Sequence, residues 1–428
     1  MFKRLVDYIP YYTAQHPDKM AVVCGKEHLT YGELYRRIRL QMKDLSDEYG
    51  DNCTDQPTIV PFAFTCAIDS LVLYFSLQAA NRVAVPLPKD ANPEEYAAFL
   101  DDLTLPEGAS DILFTTGTTG LPKRVCHTHA SLLANAENLV EAQGFTSEHV
   151  FVINGPLNHI GSLSKIWPML QVGGTLILID GMRDLEAFYQ ALDYPCEKLA
   201  TFLVPSSIRM LLQFSGDRLA QYAEKIDFIE TGASAIARAD MQKLCELLPH
   251  TRLYNTYAST ETGIVATYNY NDGECLPGCL GTPMKHAHLE ISPEGIISCS
   301  GAMTSSGFKG TTTDLGYLDA QNRLHLTGRS DDIINVGGLK VAPTEVEDAA
   351  LTYDGVKECI CIAIPHPITQ NALKLLVVMN SSQTLNKRLL ARHLASKLES
   401  YKVPLQYEEV DHIQRTFNGK LDRKSYKK

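Results

Sequence analysis

The chain has 428 residues, 45% hydrophobic and 21% charged, with a formal net charge of −11; that length accommodates two or more domains with separate cores, and the composition is that of an ordinary globular protein. The acidic balance argues against broad nucleic-acid or anionic-membrane binding, and no apolar stretch approaches the roughly 20 residues that span a bilayer. The eleven cysteines follow no regular framework and no cationic-then-apolar leader opens the sequence, which points to a reducing cytoplasm.

Through the first three hundred residues, short β-branched runs alternate with helical patterns. Strands are expected at 58–60, 83–85, 150–153 and 175–179, and helices at 131–143 and 239–248. Continuous apolar strands set between helices imply an α/β fold with mostly parallel sheets. Directly after Ile112-Leu113-Phe114 comes Thr115-Thr116-Gly117-Thr118-Thr119-Gly120-Leu121-Pro122-Lys123. Glycines let a backbone approach an oxyanion, threonine hydroxyls add donors and a lysine adds charge, so the run suits phosphate. The order Gly117-x-x-Gly120-x-x-Lys123 is not the G-x-x-x-x-G-K-[ST] of ordinary NTPases, and on composition alone a plain threonine- and glycine-rich turn fits equally well.

Near 328 the texture changes to a charged, glycine-marked stretch, 328–338. Beyond it a helix at 344–351, strands at 358–364 and 373–379 and a helix at 386–399 form a compact βαβ-like set. The expected division is a large domain over 1–330 and a small α+β domain over 331–428. From Gln383 onward there are 11 Lys or Arg against 5 Asp or Glu, so this end is basic and could meet an anion. Cys275 and Cys279, and Cys359 and Cys361, are closely spaced, but neither pair has the matching ligands of a tetrahedral zinc site.

Further short motifs recur in one order. They are Leu29-Thr30-Tyr31-Gly32-Glu33-Leu34, the stretch 79–87, the Thr/Gly run, Pro156-Leu157-Asn158-His159, Tyr257-Ala258-Ser259-Thr260-Glu261, Thr313-Asp314-Leu315-Gly316-Tyr317, the 328–338 stretch and Asn418-Gly419-Lys420. In this the chain resembles the adenylate-forming superfamily of acyl- and aryl-CoA ligases, luciferases and nonribosomal adenylation domains, over nearly its whole length. The resemblance implies a large N-terminal domain and a small, mobile C-terminal domain. It implies ATP-dependent activation of a small aryl or acyl carboxylic acid as acyl-AMP, then thioester formation with CoA. Delivery to the phosphopantetheine of a separate acyl carrier protein is the alternative, and a non-catalytic nucleotide-binding protein a second one.

The chemistry needs positive charge between two anions, the carboxylate and the α-phosphate. By resemblance Lys420 would supply it. Thr115, Thr116, Gly117, Thr118, Thr119, Gly120 and Lys123 would cradle the departing pyrophosphate, and Glu261 would bind Mg²⁺. Tyr257 would stack on adenine, lined by Gly232-Ala233-Ser234 with Thr260 nearby, while Asp314 and Arg329 would hold the ribose. Asp331 matches the hinge, and Gly337-Gly338 the loop that flanks the pantetheine channel. His159 would gate the substrate carboxylate, although a structural histidine is the competing reading. Pocket walls would include Ile160, Ser162, Leu163, Val204, Ser206 and Thr256. The stretch 158–167 contains no acid to hold an α-ammonium, which favours an aryl or acyl acid over an amino acid.

The departures are Arg124, Ala258, Thr312 and Asn418, each mild, and length. Only 27 residues separate Pro86 from Phe114, where relatives have several tens more. The trimmed large domain implies altered peripheral layers or a homo-oligomer surface.

Overall fold

The computed structural model describes residues 2–49, 57–97, 99–100, 102–116, 122–276, 278–380, 383–415 and 421–426. Gly117, Thr118, Thr119, Gly120 and Lys420 therefore lie outside the described residues.

Two sheets build the large lobe. The smaller has four strands, of which Ile59–Ala63, Val83–Leu87 and Ala109–Thr116 run parallel, while Pro122–Thr128 returns antiparallel beside the third. The larger has thirteen strands and two textures. In one half Met20–Cys24, Thr175–Leu178, His149–Ile153, Lys198–Phe202, Ile226–Thr231 and Arg252–Ser259 lie side by side and parallel. Every residue of His149–Ile153 and Thr175–Leu178 is buried, as expected of strands covered on both faces. Helices provide the cover: Trp167 and Leu163 of Ile160–Val172 and Leu139 of His129–Gln143 join the main core, and Phe188 and Leu211 join a second core behind the sheet.

The other half is antiparallel, a feature the sequence reading did not anticipate. Arg252–Ser259 turns back as Gly263–Asn269, and Cys279–Pro283, Leu324–Arg329, Thr311–Leu318, Ile296–Ser300 and His288–Ile291 extend the sheet by further antiparallel pairs. These strands are partly solvated, so they carry mixed sequence such as Thr311-Thr312-Thr313-Asp314 in place of apolar runs.

The small lobe has its own core, in which Val346, Ala350, Cys361, Leu375, Leu390 and Leu394 meet. Helix Pro343–Leu351 packs on the antiparallel pair Val356–His366 and Gln370–Met379, and helix Lys387–Ala395 leads to a third strand, Gln406–Glu409, parallel to the second. The expected helix over 386–399 is shorter than read. Asn386 caps it, accepting from Leu389 N–H, and Ser396 ends it. The lobes touch where Arg209, paired with Asp240, donates from Nη1 to the Lys357 carbonyl at 3.1 Å.

Candidate active site

Adjacent parallel strands end at one edge of the large sheet, and several of the sequence motifs begin there. His149–Ile153 runs into Pro156-Leu157-Asn158-His159, Lys198–Phe202 into Val204 and Ser206, Ile226–Thr231 into Gly232-Ala233-Ser234, and Arg252–Ser259 into Thr260-Glu261. Ligand crevices of open α/β sheets lie outside these carboxyl ends, because the turns there gather groups from strands far apart in sequence.

The Gly232 turn is tight. A Cβ at Gly232 would lie 2.9 Å from the Thr256 carbonyl of the neighbouring strand, so only glycine lets the two backbones approach this closely. Ala233 follows with φ +66°, a left-handed conformation costing about 1–2 kcal/mol for a residue with a Cβ, held by the flanking strand ends.

The Thr260-Glu261 turn meets the hairpin that carries the Thr/Gly run. Thr115 and Lys123 are opposite each other in that hairpin. Lys123 Nζ donates to Glu261 Oε1 at 3.2 Å, across 138 residues of sequence. Beneath them the buried His127 shares a hydrogen bond between Nε2 and the Thr260 carbonyl at 2.9 Å, while Ser305 N–H donates to the Glu261 carbonyl at 2.9 Å. Burial lowers His127 to about 4, so the ring is neutral near pH 7, and Nε2 carries the proton it donates to Thr260. The sequence reading passed over His127 and Ser305. Neither stands in a motif, and only the fold brings them to the turn.

A second cluster forms where the same strand faces the antiparallel half. The Tyr257 hydroxyl donates to Asp314 Oδ2 at 2.7 Å, and Arg329 Nη1 stands 3.5 Å from Asp314 Oδ1. Burial and the Asp314 charge push the Tyr257 phenol far above its ordinary value, which keeps it a donor. Asp314 and Arg329 are cross-strand partners, and Arg329 also forms a bidentate pair with Asp331 at 2.9 and 3.0 Å. Tyr257, Asp314, Arg329 and Asp331 thus form one connected network.

The remaining candidates scatter more. His159 is the N-cap residue of Ile160–Val172 and is half-buried, with Ile160 half-buried beside it and Ser162 buried. Leu163 is fully buried in the main hydrophobic core. Val204 precedes helix Pro205–Phe214, at whose start Ser206 is exposed. The Thr256 hydroxyl is engaged with Thr267 at 2.9 Å and with Gln143 at 3.2 Å. Gly337 and Gly338, at φ +60° and +91°, form the two-residue turn joining Ile334–Val336 to Leu339–Val341, where both positive φ values demand glycine. The described cysteines are all free, and among the described residues no group of three or more His, Cys, Asp or Glu could hold a metal and no helix is long and apolar enough to cross a membrane.

Residues 104–295 match the family model of the AMP-binding enzymes, and residues 345–420 match the AMP-binding enzyme C-terminal domain. The chain is 25% identical to the 2-succinylbenzoate–CoA ligase of Staphylococcus epidermidis, over 96% of this chain and 95% of that one. Its fold is similar to that of ATP-bound MatB from Rhodopseudomonas palustris (TM-score 0.87, 20% identity, 100% and 99% of the two chains covered). It is also similar to o-succinylbenzoate CoA synthetase from Bacillus subtilis, solved with its acyl-adenylate intermediate (TM-score 0.84, 18% identity, 98% of both chains covered). With both family models matched in order, the site motifs at the strand ends and relatives aligned end to end, the chain belongs to the adenylate-forming superfamily of AMP-binding enzymes.

Proposed function

We propose that this protein is an AMP-forming acid–thiol ligase. A carboxylate oxygen of an aryl or acyl acid attacks the α-phosphorus of ATP and pyrophosphate leaves. The thiol of CoA then attacks the acyl carbon of the mixed anhydride and AMP leaves. The observation that carries this reading is the Lys123–Glu261 contact, which sets a cation and a carboxylate together beside the Thr/Gly hairpin.

Each role follows from charge. Lys123 would attract the β- and γ-phosphates, with Thr115, Thr116 and the residues up to Gly120 as further donors. A single carboxylate next to phosphate oxygens suits a hard divalent cation that keeps most of its water, so Glu261 would hold Mg²⁺, which neutralises the leaving pyrophosphate. Tyr257 and the Gly232-Ala233-Ser234 turn would receive the adenine. Asp314, with one oxygen on Tyr257, would use its second on the ribose together with Arg329. His159, Ile160, Ser162, Val204, Ser206 and Thr256 would border the acid. Lys420 would bridge the carboxylate and the α-phosphate. We divide the chain into a large lobe over 1–330 and a small lobe over 331–428 that turns at Asp331, bringing Gly337-Gly338 toward the thiol. A cytoplasmic setting, with CoA at hand, suits this chemistry and the unpaired cysteines.

A panel of aromatic and acyl acids with ATP and Mg²⁺, followed by pyrophosphate release, tests the first step. CoA set against a holo-carrier protein then tests the acceptor. Lys420→Ala should slow acid-dependent pyrophosphate exchange by about 10²–10³-fold and leave thioester formation from preformed acyl-AMP largely intact. Absence of exchange with every acid would support a nucleotide-binding protein without catalysis.

A further inference from the structure

Strand Val356–His366 lies at the edge of the small lobe's sheet, and an edge strand leaves alternate backbone groups without a neighbouring strand. At Cys361 two side chains take the place of that neighbour. Cys361 N–H donates to Glu347 Oε1 at 2.7 Å, and its carbonyl accepts from Arg423 Nη1 at 3.2 Å. The two side chains then close on each other, Nη1 to Oε1 and Nη2 to Oε2, both at 2.6 Å. Side-chain exposure is only 12% for Arg423 and 7% for Glu347. Glu347 comes from helix Pro343–Leu351, whereas Arg423 opens the short helical turn Arg423–Tyr426 near the end of the chain.

The surrounding contacts pin the same segment. Arg415 and Leu421 form an antiparallel bridge, Asp422 N–H donates to the Gln414 carbonyl at 2.9 Å, and Arg415 Nη2 donates to Glu358 at 2.9 Å. Asp332, the residue after the hinge candidate, stands 3.5 Å from Arg423 Nε. Lys420 directly precedes Leu421 in the sequence.

Relative to apolar side chains of similar volume, a buried ion pair adds little stability. What a guanidinium–carboxylate fork adds is direction, because two parallel N–H···O bonds define a plane and an angle that a point charge does not. We propose that Glu347 and Arg423 are positioning residues for adenylation, a clamp that registers the chain end on the sheet edge and so sets where the Lys420 amine can reach. The inference rests on Lys420 being the adenylation lysine.

Arg423→Lys keeps the charge and removes the fork, and Glu347→Gln keeps the shape and removes the charge. In the full chain each should lower kcat for acid-dependent pyrophosphate exchange by about 10²-fold, as expected when a reacting group is misplaced by about 1 Å. The KM values for ATP and acid, and the rate of thioester formation from preformed acyl-AMP, should change little. Exchange at the unaltered rate, or an equal fall in both half-reactions, would overturn the clamp. Should the single variants fold poorly, Glu347→Leu with Arg423→Met restores an apolar contact without direction; exchange should stay slow in the folded double variant, and full recovery would again refute the clamp. Lys420→Ala, run alongside, separates the two ideas. If it abolishes exchange while Arg423→Lys does not, the clamp alone fails, and if it leaves exchange intact, both readings fall.

Discussion

Two buried carboxylates, one in each lobe, each have a cation as partner, and they are held in different ways. Glu230, at the end of strand Ile226–Thr231, meets Lys165 of helix Ile160–Val172 at 2.6 Å, with side-chain exposures of 1% and 2%. Only one carboxylate oxygen is engaged, since Glu230 Oε2 has no hydrogen-bond partner among the described residues. Lys165 also lies 5.2 Å from the centre of the Phe202 ring. Glu347, in contrast, has both oxygens on the Arg423 fork and a backbone donor besides. Lysine is a point charge on a flexible stem, and it neutralises Glu230 without fixing its orientation. Arginine both neutralises and orients. The first pair joins the two elements whose ends carry His159 and Gly232, and the second ties down the chain end, where angle matters as much as charge.

The comparison breaks most visibly at the enclosed pair. Lys165→Met leaves the Glu230 charge buried without compensation and should destabilise the large lobe by about 3–5 kcal/mol, read as a fall in its urea midpoint. Adding Glu230→Leu should recover most of that loss. If single and double variants were equally unstable, the charge itself would not be the cause.

Buried groups outside any ion pair among the described residues sharpen the contrast, because burial disfavours their charged forms. Burial pushes Asp111 up to about 6, though Tyr74, Gln78 and Ser110 all donate to it, and lowers His127 to about 4. The two act oppositely on stability. His127, below its unfolded value near 6.5, binds its proton first in the unfolded chain, so its contribution is present above pH 6.5 and is lost as pH falls toward 4. Asp111, above its unfolded value near 3.8, binds its proton first in the folded chain, so its contribution is present below pH 3.8 and is lost as pH rises through 6. Each amounts to about 3 kcal/mol, and between pH 6 and 4 they largely offset. Asp111→Asn should therefore make stability fall more steeply on acidification than in the parent, by about 2 kcal/mol between pH 6 and pH 4. Parallel curves for the two proteins would contradict this.

The smallest effect belongs to the solvated end of the scale. Arg37 pairs with Glu27 and Asp69, both at 3.0 Å, on an exposed face. Arg37→Ala should cost less than about 1 kcal/mol in the same denaturation experiment, and less again at high salt. A loss near that of Lys165→Met would erase the distinction between buried and surface pairs.

Much of the parallel half was legible because its signal is local. Strands expected at 150–153 and 175–179 appear as His149–Ile153 and Thr175–Leu178, buried throughout and mostly apolar since both faces are covered. The helix expected at 131–143 starts two residues earlier, where Thr128 and Ser131 form a capping box. The antiparallel half was not legible. A strand such as His288–Ile291 has one buried residue in four and does not rise above the pattern of a loop, and the same holds for Gln406–Glu409 of the small lobe, which buries only Tyr407.

The sequence by itself determined the residue types and their order, a Thr/Gly run ending in Lys123, Tyr257 to Glu261, Asp314, Arg329 and Lys420, and that order carries the resemblance to the adenylate-forming superfamily. The tertiary structure alone decided that Lys123 meets Glu261, that His127 and Ser305 hold the turn beneath them, and that Arg423 locks onto Glu347. Helix and strand periodicities act over a few residues and can be read along the chain. Ion pairs and hydrogen bonds depend on distance through space, and that distance exists only once strands far apart in sequence lie side by side.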